Sequence, residues 1–114
     1  MTLSVQAGHI DEIRVMAGNI RIKVCDDAAA VAKEAAAMFD EQIRANPASV
    51  IGLATGSTPE ATYAELARRH REDGLSLKGI TTFNLDEYWG LGGDHDQSYR
   101  YFMNDRLFKH VDTL

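Results

Sequence analysis

The chain has 114 residues, of which 45% are hydrophobic and 25% are charged, which is typical of a single globular domain with its own core. Its formal net charge is −5 and its 12 Lys and Arg residues are spread along the chain, which excludes the basic surface that binds nucleic-acid phosphates. The single cysteine, Cys25, excludes an internal disulfide and lies in no Cys/His spacing typical of zinc.

The N-terminal segment and the hydropathy of the chain bear on location. Residues 1–15 lack the basic segment followed by an apolar stretch that marks a secretory signal. No run of about 18 apolar residues is present, so no membrane span is predicted. We therefore expect a cytoplasmic protein.

The first predicted element is a β-hairpin. Residues 12–16 and 20–24 are two apolar or alternating segments on either side of an Ala-Gly-Asn turn, whose Gly-Asn pair suits positive φ. In the second segment Ile20, Ile22 and Val24 fall on one face, because side chains alternate along a strand.

A long helix follows the hairpin. Asp26 or Asp27 is predicted to cap its N-terminus, and Asn46-Pro47 is predicted to end it. Helical spacing predicts one buried face. The apolar positions on that face are Val31, Ala35, Met38, Phe39 and Gln42/Ile43.

The remaining sequence alternates strands and helices. Residues 49–54 form a short apolar run that predicts a strand buried on both faces. A helix is predicted from about Thr58 to Asp73, with Gly74 as the residue that ends it. Residues 80–85 predict the third core strand, and residues 97–111 the last helix.

This order predicts the fold class. Strands separated by helices of this length imply right-handed βαβ crossovers and a parallel sheet, so the chain is predicted to be α/β. Ligands of such sheets bind just outside the carboxyl ends of the strands. The segments that follow the second and third strands are therefore the candidate sites.

The first candidate site is Thr55–Thr58, between a strand and a helix. Gly56 allows the backbone to approach a bound group, and the helix N-terminus offers unpaired N–H groups and a favourable dipole. Thr55, Ser57 and Thr58 add hydroxyl donors. This combination suits a phosphate monoester.

A structural interpretation of the same segment competes with the phosphate site. Ser57 and Glu60 have the spacing of a capping box, and Pro59 fits the first turn of a helix, so Ser57 or Thr58 can simply be a cap. The segment also lacks the Gly-Lys of a nucleotide P-loop and the G-x-G-x-x-G of a dinucleotide site. ATP and NAD are therefore poor candidates.

The second candidate site is Asp86, Glu87 and Tyr88, directly after the third strand. The adjacent carboxylates point to different faces, so one can face a ligand while the other caps or pairs locally. A partly desolvated carboxylate here is well placed to remove a proton next to a carbonyl. The alternative is a solvated turn.

The loop after this segment contains weaker candidates. His95 is the histidine nearest to the predicted ligand edge, and Tyr99 at the start of the last helix can also face the site. Asp94, His95 and Asp96 rarely converge on one ion without distant ligands, so no metal site is predicted. The other histidines are assigned to a flexible lead, a solvated helix face and a helix end: His9, His70 and His110.

Three segments in this order carry a family resemblance: "GLATGSTPEATYAEL", "FNLDEYWGL" and "DQSYRYFMNDRLFKHVD". Together they resemble the N-terminal half of the glucosamine-6-phosphate deaminases, also called isomerases. These share a superfamily of Rossmann-like sugar-phosphate enzymes with the 6-phosphogluconolactonases. The resemblance covers nearly all of residues 20–114.

The resemblance implies roles for both candidate segments. In the family the loop that matches Thr55, Gly56, Ser57 and Thr58 holds the sugar phosphate. The first carboxylate of the Asp-Glu-Tyr motif, which matches Asp86, is the base that moves a proton between C2 and C1 of the open-chain sugar. The implied reaction converts an amino-sugar phosphate to fructose 6-phosphate and ammonia, without a cofactor.

Two alternatives remain open. Lactonases of the superfamily share the "GSTP" loop, but they usually carry Arg where this chain has Tyr88, and they lack the "SYRYFM" segment. Sugar-phosphate-binding domains of transcriptional regulators bind ligand without turnover. They are joined to a basic DNA-binding unit that this chain lacks, and Asp86 argues for chemistry.

The resemblance also sets expectations for domains and assembly. Residues 1–19 are interpreted as a lead with the first hairpin strand, and residues 20–114 as the N-terminal half of a sugar-phosphate isomerase/deaminase domain. Family members continue through further strands, which supply a ring-opening group and basic phosphate ligands, so we expect a truncated sheet. An open strand edge and an uncovered apolar face favour a homo-oligomer.

Overall fold

The structure is a computed structural model that describes the backbone of residues 11–15 and residues 19–113 in full. The chain groups into two compact units, Met1–Val31 and Ala32–Leu114.

The first unit contains the predicted hairpin. Strand β1, Asp11–Val15, pairs antiparallel with strand β2, Ile20–Val24. The register places Val15 opposite Ile20. The hairpin is confirmed, although most of its predicted turn falls on residues 16–18, which lie outside the described residues.

Helix α1, Ala28–Ala45, starts and ends where the sequence predicts. The Ala30 N–H donates to Asp27 Oδ1 at 2.8 Å, so of the two predicted caps Asp27 is the one observed. At the other end, the Asn46 N–H donates to the Gln42 carbonyl at 2.9 Å.

The buried face of α1 differs from the predicted one. The buried residues are Ala32, Ala36, Asp40 and Ile43, whereas Val31 and Met38 are exposed. The prediction was wrong for these two residues because it followed apolar periodicity alone. A buried carboxylate, Asp40, occupies the face instead, where it forms ion pairs with arginines.

A parallel pair of strands forms the centre of the second unit. Strand β3, Val50–Leu53, pairs with strand β4, Thr81–Asn84, and the register places Leu53 beside Asn84. Because β2 pairs with β1, the parallel sheet of the described residues has two strands and not the predicted three. The α/β class with a parallel sheet and flanking helices is confirmed.

Helix α2, Glu60–Asp73, connects the two strands. It ends at Gly74, as predicted, where φ of 71° favours glycine. Helix α3, Tyr99–Arg106, is shorter than predicted, because the backbone changes direction at Leu107 before a 3₁₀ turn at Phe108–His110. No helix in the described ranges combines the length and hydropathy needed to cross a bilayer.

The core lies on one face of the β3–β4 pair. Ile51 and Leu53 point into it, and the face is filled by residues from the helices and from the segment after α2. These residues are Ala36, Ile43, Tyr63, Leu66, Leu75, Leu77, Met103 and Leu107. On the other face Val50 and Phe83 are 68% and 63% exposed, so the prediction that this strand is buried on both faces is wrong for the described residues.

An ion-pair network joins α1 to α2. Asp40 accepts hydrogen bonds from Arg44 Nε and, at 2.9 Å, from Arg69 Nη1. Arg69 Nε also donates to Glu65 at 3.1 Å, and Arg68 donates to both oxygens of Glu65. Burial raises the pKa of Asp40, but the hydrogen bonds from Arg69 and Arg44 outweigh it and keep this pKa below its ordinary value.

We predict that this network makes stability depend on pH in acid. Hydrogen bonds from Arg68, opposed by burial and assisted by Arg69, lower the pKa of Glu65 to about 2 from an ordinary 4.5. A depressed folded-state pKa stabilises the protein above the unfolded-state value, and the stabilisation is lost as pH falls from 4.5 towards 2. In urea unfolding at pH 7, 4 and 2.5, the free energy of unfolding should fall less steeply with decreasing pH for Glu65→Gln than for the wild type. An equally steep fall in both proteins would contradict this assignment.

Tyr63 is buried, and its hydroxyl donates a hydrogen bond to the Ala54 carbonyl just after β3. Burial raises the pKa of Tyr63 to about 12. Tyr63→Phe removes the hydroxyl that donates to the carbonyl of the exposed Ala54, and we expect a loss of about 0.5–1.5 kcal/mol in the free energy of unfolding. Tyr101→Phe, at an exposed position, is the matched control and should change it by less than about 0.5 kcal/mol.

Candidate functional site

The parallel register brings the two candidate segments to the same edge of the sheet. Leu53 and Asn84 are the last residues of β3 and β4 and lie side by side. Asn84 Nδ2 also donates to the Leu53 carbonyl at 2.9 Å, which ties the two strand ends together. Thr55 and Asp86 each follow two residues after these ends.

The Thr55–Thr58 segment forms an open turn before α2. Gly56 has φ of 92°, which L side chains rarely adopt, and no heavy atom lies within 4 Å of where a Cβ would stand. Glycine is therefore required by the backbone conformation, and the space above it is free for a ligand. Thr55 is half-buried, whereas Ser57 and Thr58 are exposed.

The capping interpretation of this segment is not supported. Helix α2 begins at Glu60, with Pro59 in the cap position and no side-chain hydrogen bond to the helix end. The helix therefore starts two residues after the predicted position of about Thr58, and the alternative of a Ser57–Glu60 capping box is not observed. The Ser57 and Thr58 hydroxyls are not used as caps, so they remain available next to the positive end of a 14-residue helix.

Ser57 also lines a cavity of about 650 Å³ between α2 and the C-terminal helical segment. Its basic residues are Arg71, Arg106 and His110, and its acidic residues are Glu60 and Asp105. Arg106 Nε lies 3.7 Å from both Glu60 Oε1 and Asp105 Oδ2. The charges of this cavity are therefore mixed and partly paired.

Tyr99 lies near both candidate segments. The hydrogen bond with Tyr88 is the main cause that raises the pKa of Tyr99, the negative charge of Asp86 raises it further, and Thr55 opposes the shift. The Tyr99 hydroxyl is bonded to Tyr88, two residues after Asp86, so Asp86, Tyr88 and Tyr99 form one cluster, and Asp86 itself is exposed to solvent.

Tyr88 and Tyr99 form an aromatic pair beside Asp86. Their ring centroids are 4.9 Å apart with an interplanar angle of 45°, a tilted arrangement favoured by aromatic quadrupoles. The Tyr99 hydroxyl donates to the Tyr88 hydroxyl at 3.4 Å. Both residues, predicted as site neighbours, are thus in the cluster.

Glu87 has a different role from Asp86. Its Oε1 accepts hydrogen bonds from the Tyr99 and Tyr88 N–H groups at 2.9 and 2.8 Å, and its Oε2 accepts one from the Arg100 N–H at 3.0 Å. These three bonds lower the pKa of Glu87, and the bond from the Tyr99 N–H contributes most to the shift. Of the two adjacent carboxylates, Glu87 is therefore the one that caps a helix, while Asp86 is left to face outward.

His95 is not part of the cluster. Its Nδ1 accepts from the Gln97 N–H at 3.0 Å and lies 3.4 Å from Asp96, so the side chain is used within its own loop. No hydrogen bond joins it to Asp86 or to Thr55–Thr58 in the part of the chain that the structure describes. Among the residues that the structure describes, no group of three or more His, Cys, Asp or Glu is arranged to hold a metal ion.

Sequence reasoning missed two contacts at this site. It did not foresee the contact between Tyr88 and Tyr99 or the hydrogen bonds of Glu87 to the start of α3. Glu87 lies 12 residues from Tyr99, and no local periodicity relates residues across an irregular loop. The sequence offered one signal: Asp86 and Glu87 are adjacent, so their side chains point to different faces and can have different roles.

Comparison with known proteins identifies similar sequences. No protein-family model matches the chain. The glucosamine-6-phosphate deaminase of Cellvibrio japonicus is 53% identical over 93 residues, which are 82% of this chain and 35% of the relative. Glucosamine-6-phosphate deaminase 1 of Bacillus subtilis is 44% identical over 94 residues, or 82% of this chain and 39% of the relative.

A solved structure has a similar fold. It is a monomeric glucosamine-6-phosphate deaminase described as a missing link of the NagB superfamily. The TM-score is 0.77 at 46% identity, over 79% of this chain and 37% of that one. The chain thus spans well under half the length of the relatives it matches, and over that span it belongs to the family of the glucosamine-6-phosphate deaminases.

Proposed function

We propose that this chain carries the phosphate loop and the enolisation base of a glucosamine-6-phosphate deaminase. The reaction is an aldose–ketose isomerisation followed by hydrolysis of the resulting C2 imine, so one water is consumed and fructose 6-phosphate and ammonia are released. The observation that carries the proposal is the placement of Thr55–Thr58 and Asp86 at one edge of the β3–β4 pair. The names of the similar proteins supply the substrate.

The proposed phosphate site is the turn before α2. Gly56 leaves open space above the backbone, and the N–H groups at the start of α2 point out of the helix end. The hydroxyls of Thr55, Ser57 and Thr58 add donors. A phosphate monoester is the ligand that this set of neutral donors and helix dipole favours.

The proposed base is Asp86. It is an exposed carboxylate at a strand end, close enough to Tyr99 to influence its pKa. With the phosphate on the Thr55–Thr58 turn, the open chain of the sugar extends towards Asp86. Asp86 then takes the proton from C2 and returns it to C1, a transfer that needs no organic cofactor.

The remaining expectations are part of the same proposal. Residues 20–114 form the N-terminal part of the deaminase domain, and the resemblance places the ring-opening group and further basic phosphate ligands in segments beyond it. The partner is a small sugar phosphate rather than nucleic acid or a membrane, and the location is the cytoplasm. A homo-oligomer stays a prediction from the sequence, whereas the solved relative is described as monomeric.

The first test is calorimetric titration of the chain with glucosamine 6-phosphate. We expect weak binding that Ser57→Ala weakens about tenfold, because a hydroxyl donor to a charged oxygen is lost. The melting temperature should not change, since the Ser57 side chain caps no helix.

Thr81→Ala is the matched control for this titration. Thr81 also carries an exposed hydroxyl, but it begins β4 at the opposite end of the strand pair. Its substitution should leave the dissociation constant unchanged. Equal weakening by both substitutions would contradict the assignment of the turn.

The second test addresses Asp86 in a chimera in which this chain replaces the matching segment of the Cellvibrio japonicus deaminase. Asp86→Asn removes the base but keeps the shape of the side chain, so kcat for ammonia release should fall by at least about 100-fold. The dissociation constant for glucosamine 6-phosphate should change little. An Asp86→Asn chimera that retains its kcat would rule out this residue as the base.

A further inference from the structure

Glu87 is exposed, yet its carboxylate makes three hydrogen bonds to backbone N–H groups. Two of the donors, Tyr99 and Arg100, are the first two residues of α3 and lie 12 and 13 residues further along the chain. Charge-assisted bonds of 2.8–3.0 Å to a carboxylate are stronger than neutral ones. The Glu87 side chain therefore binds the segment that follows β4 to the start of α3.

The loop that these bonds close has little regular structure. Between Tyr88 and Ser98 it contains Gly90 with φ of 83° and tight turns that join Gly92 to His95 and His95 to Ser98. Closing a loop of this kind costs conformational entropy, which the hydrogen bonds of Glu87 offset. Glu87 thereby limits where the start of α3 can lie relative to Asp86.

The start of α3 holds a residue that contacts the Asp86–Tyr88 segment. The Tyr99 N–H is bound by Glu87, its ring packs against Tyr88, and its hydroxyl donates to the Tyr88 hydroxyl. A shift of the Tyr99 backbone would therefore move the ring that packs beside Asp86. Displacements of about 1 Å at such a position have large effects on binding and rate.

We propose that Glu87 is a positioning residue of the sugar-phosphate site: its bonds to the Tyr99 and Arg100 N–H groups hold Tyr99 against Tyr88, beside Asp86. This inference rests on the proposed function, because it assigns Glu87 to the geometry of that same site. Glu87 touches no substrate in this role. It acts through Tyr99 and through its own neighbour, Asp86.

The simpler explanation is that Glu87 only stabilises α3, and the chain offers a matched control for it. Ser98 caps the same helix, since its buried Oγ accepts from the Tyr101 N–H at 3.0 Å. Ser98→Ala removes a cap of α3 without removing the bonds to Tyr99 and Arg100. Glu87→Gln keeps the size of the side chain but removes its charge and one acceptor oxygen.

The experiment measures, for the wild-type chain, Glu87→Gln and Ser98→Ala, the melting temperature, the nuclear Overhauser effects between the Tyr88 and Tyr99 rings, and the dissociation constant for glucosamine 6-phosphate. We expect both substitutions to lower the melting temperature. Glu87→Gln alone should weaken the ring contacts and raise the dissociation constant about tenfold.

Each other outcome would overturn the inference. An unchanged dissociation constant in Glu87→Gln would refute the positioning role while leaving the proposed function intact. Equal weakening in Glu87→Gln and Ser98→Ala would reduce Glu87 to a helix cap. Absence of binding by the wild-type chain would refute the proposed function, and this inference with it.

Discussion

The pairing of β3 with β4 is the constraint on which the candidate site depends. Parallel strands have their carboxyl ends at the same edge, and the Leu53–Asn84 register brings these two ends level. A one-residue slip would exchange the buried and exposed faces of β3, turning Ile51 and Leu53 out of the core. Burial of these two side chains therefore stabilises the register that sets Thr55 next to the Asp86 segment.

The helices stabilise this arrangement mostly from one face of the strand pair. Apolar residues of α2 and α3 pack on Ile51 and Leu53, and the α1–α2 interface adds a buried carboxylate, Asp40, that binds Arg69. Removing one partner of such a pair leaves an uncompensated charge, which costs more than the pair contributes. The buried Tyr63 joins the core to the candidate site, because its hydroxyl donates to the Ala54 carbonyl just before the Thr55–Thr58 turn.

The candidate site contains exposed residues and residues that are hydrogen-bonded within the chain. Ser57, Thr58 and Asp86 are exposed, as groups that meet a ligand must be. Glu87 and Tyr99 have hydrogen-bond partners within the chain and hold the geometry around them. The adjacent carboxylates therefore differ in role, because Glu87 accepts hydrogen bonds from three backbone N–H groups, whereas Asp86 is exposed to solvent.

Local chemistry was sufficient to predict much of this protein. A cap at Asp26 or Asp27, the end of α2 at Gly74 and the positions of β3 and β4 followed from residue preferences that act over a few residues. The candidate segments followed from the rule that parallel strands bind ligands at their carboxyl ends. The roles of Thr55–Thr58 and Asp86 came from the resemblance and remain proposals.

Only the tertiary structure decided which face of α1 is buried and how Glu87 and Tyr88 meet Tyr99. The face of α1 depends on Asp40 finding Arg69, which lies 29 residues away, and apolar periodicity carries no information about such a partner. The contacts of Glu87 cross an irregular loop, where spacing along the chain does not determine distance in space. Sequence predicts what short-range preferences control, whereas these contacts arise only once the strands and helices have packed.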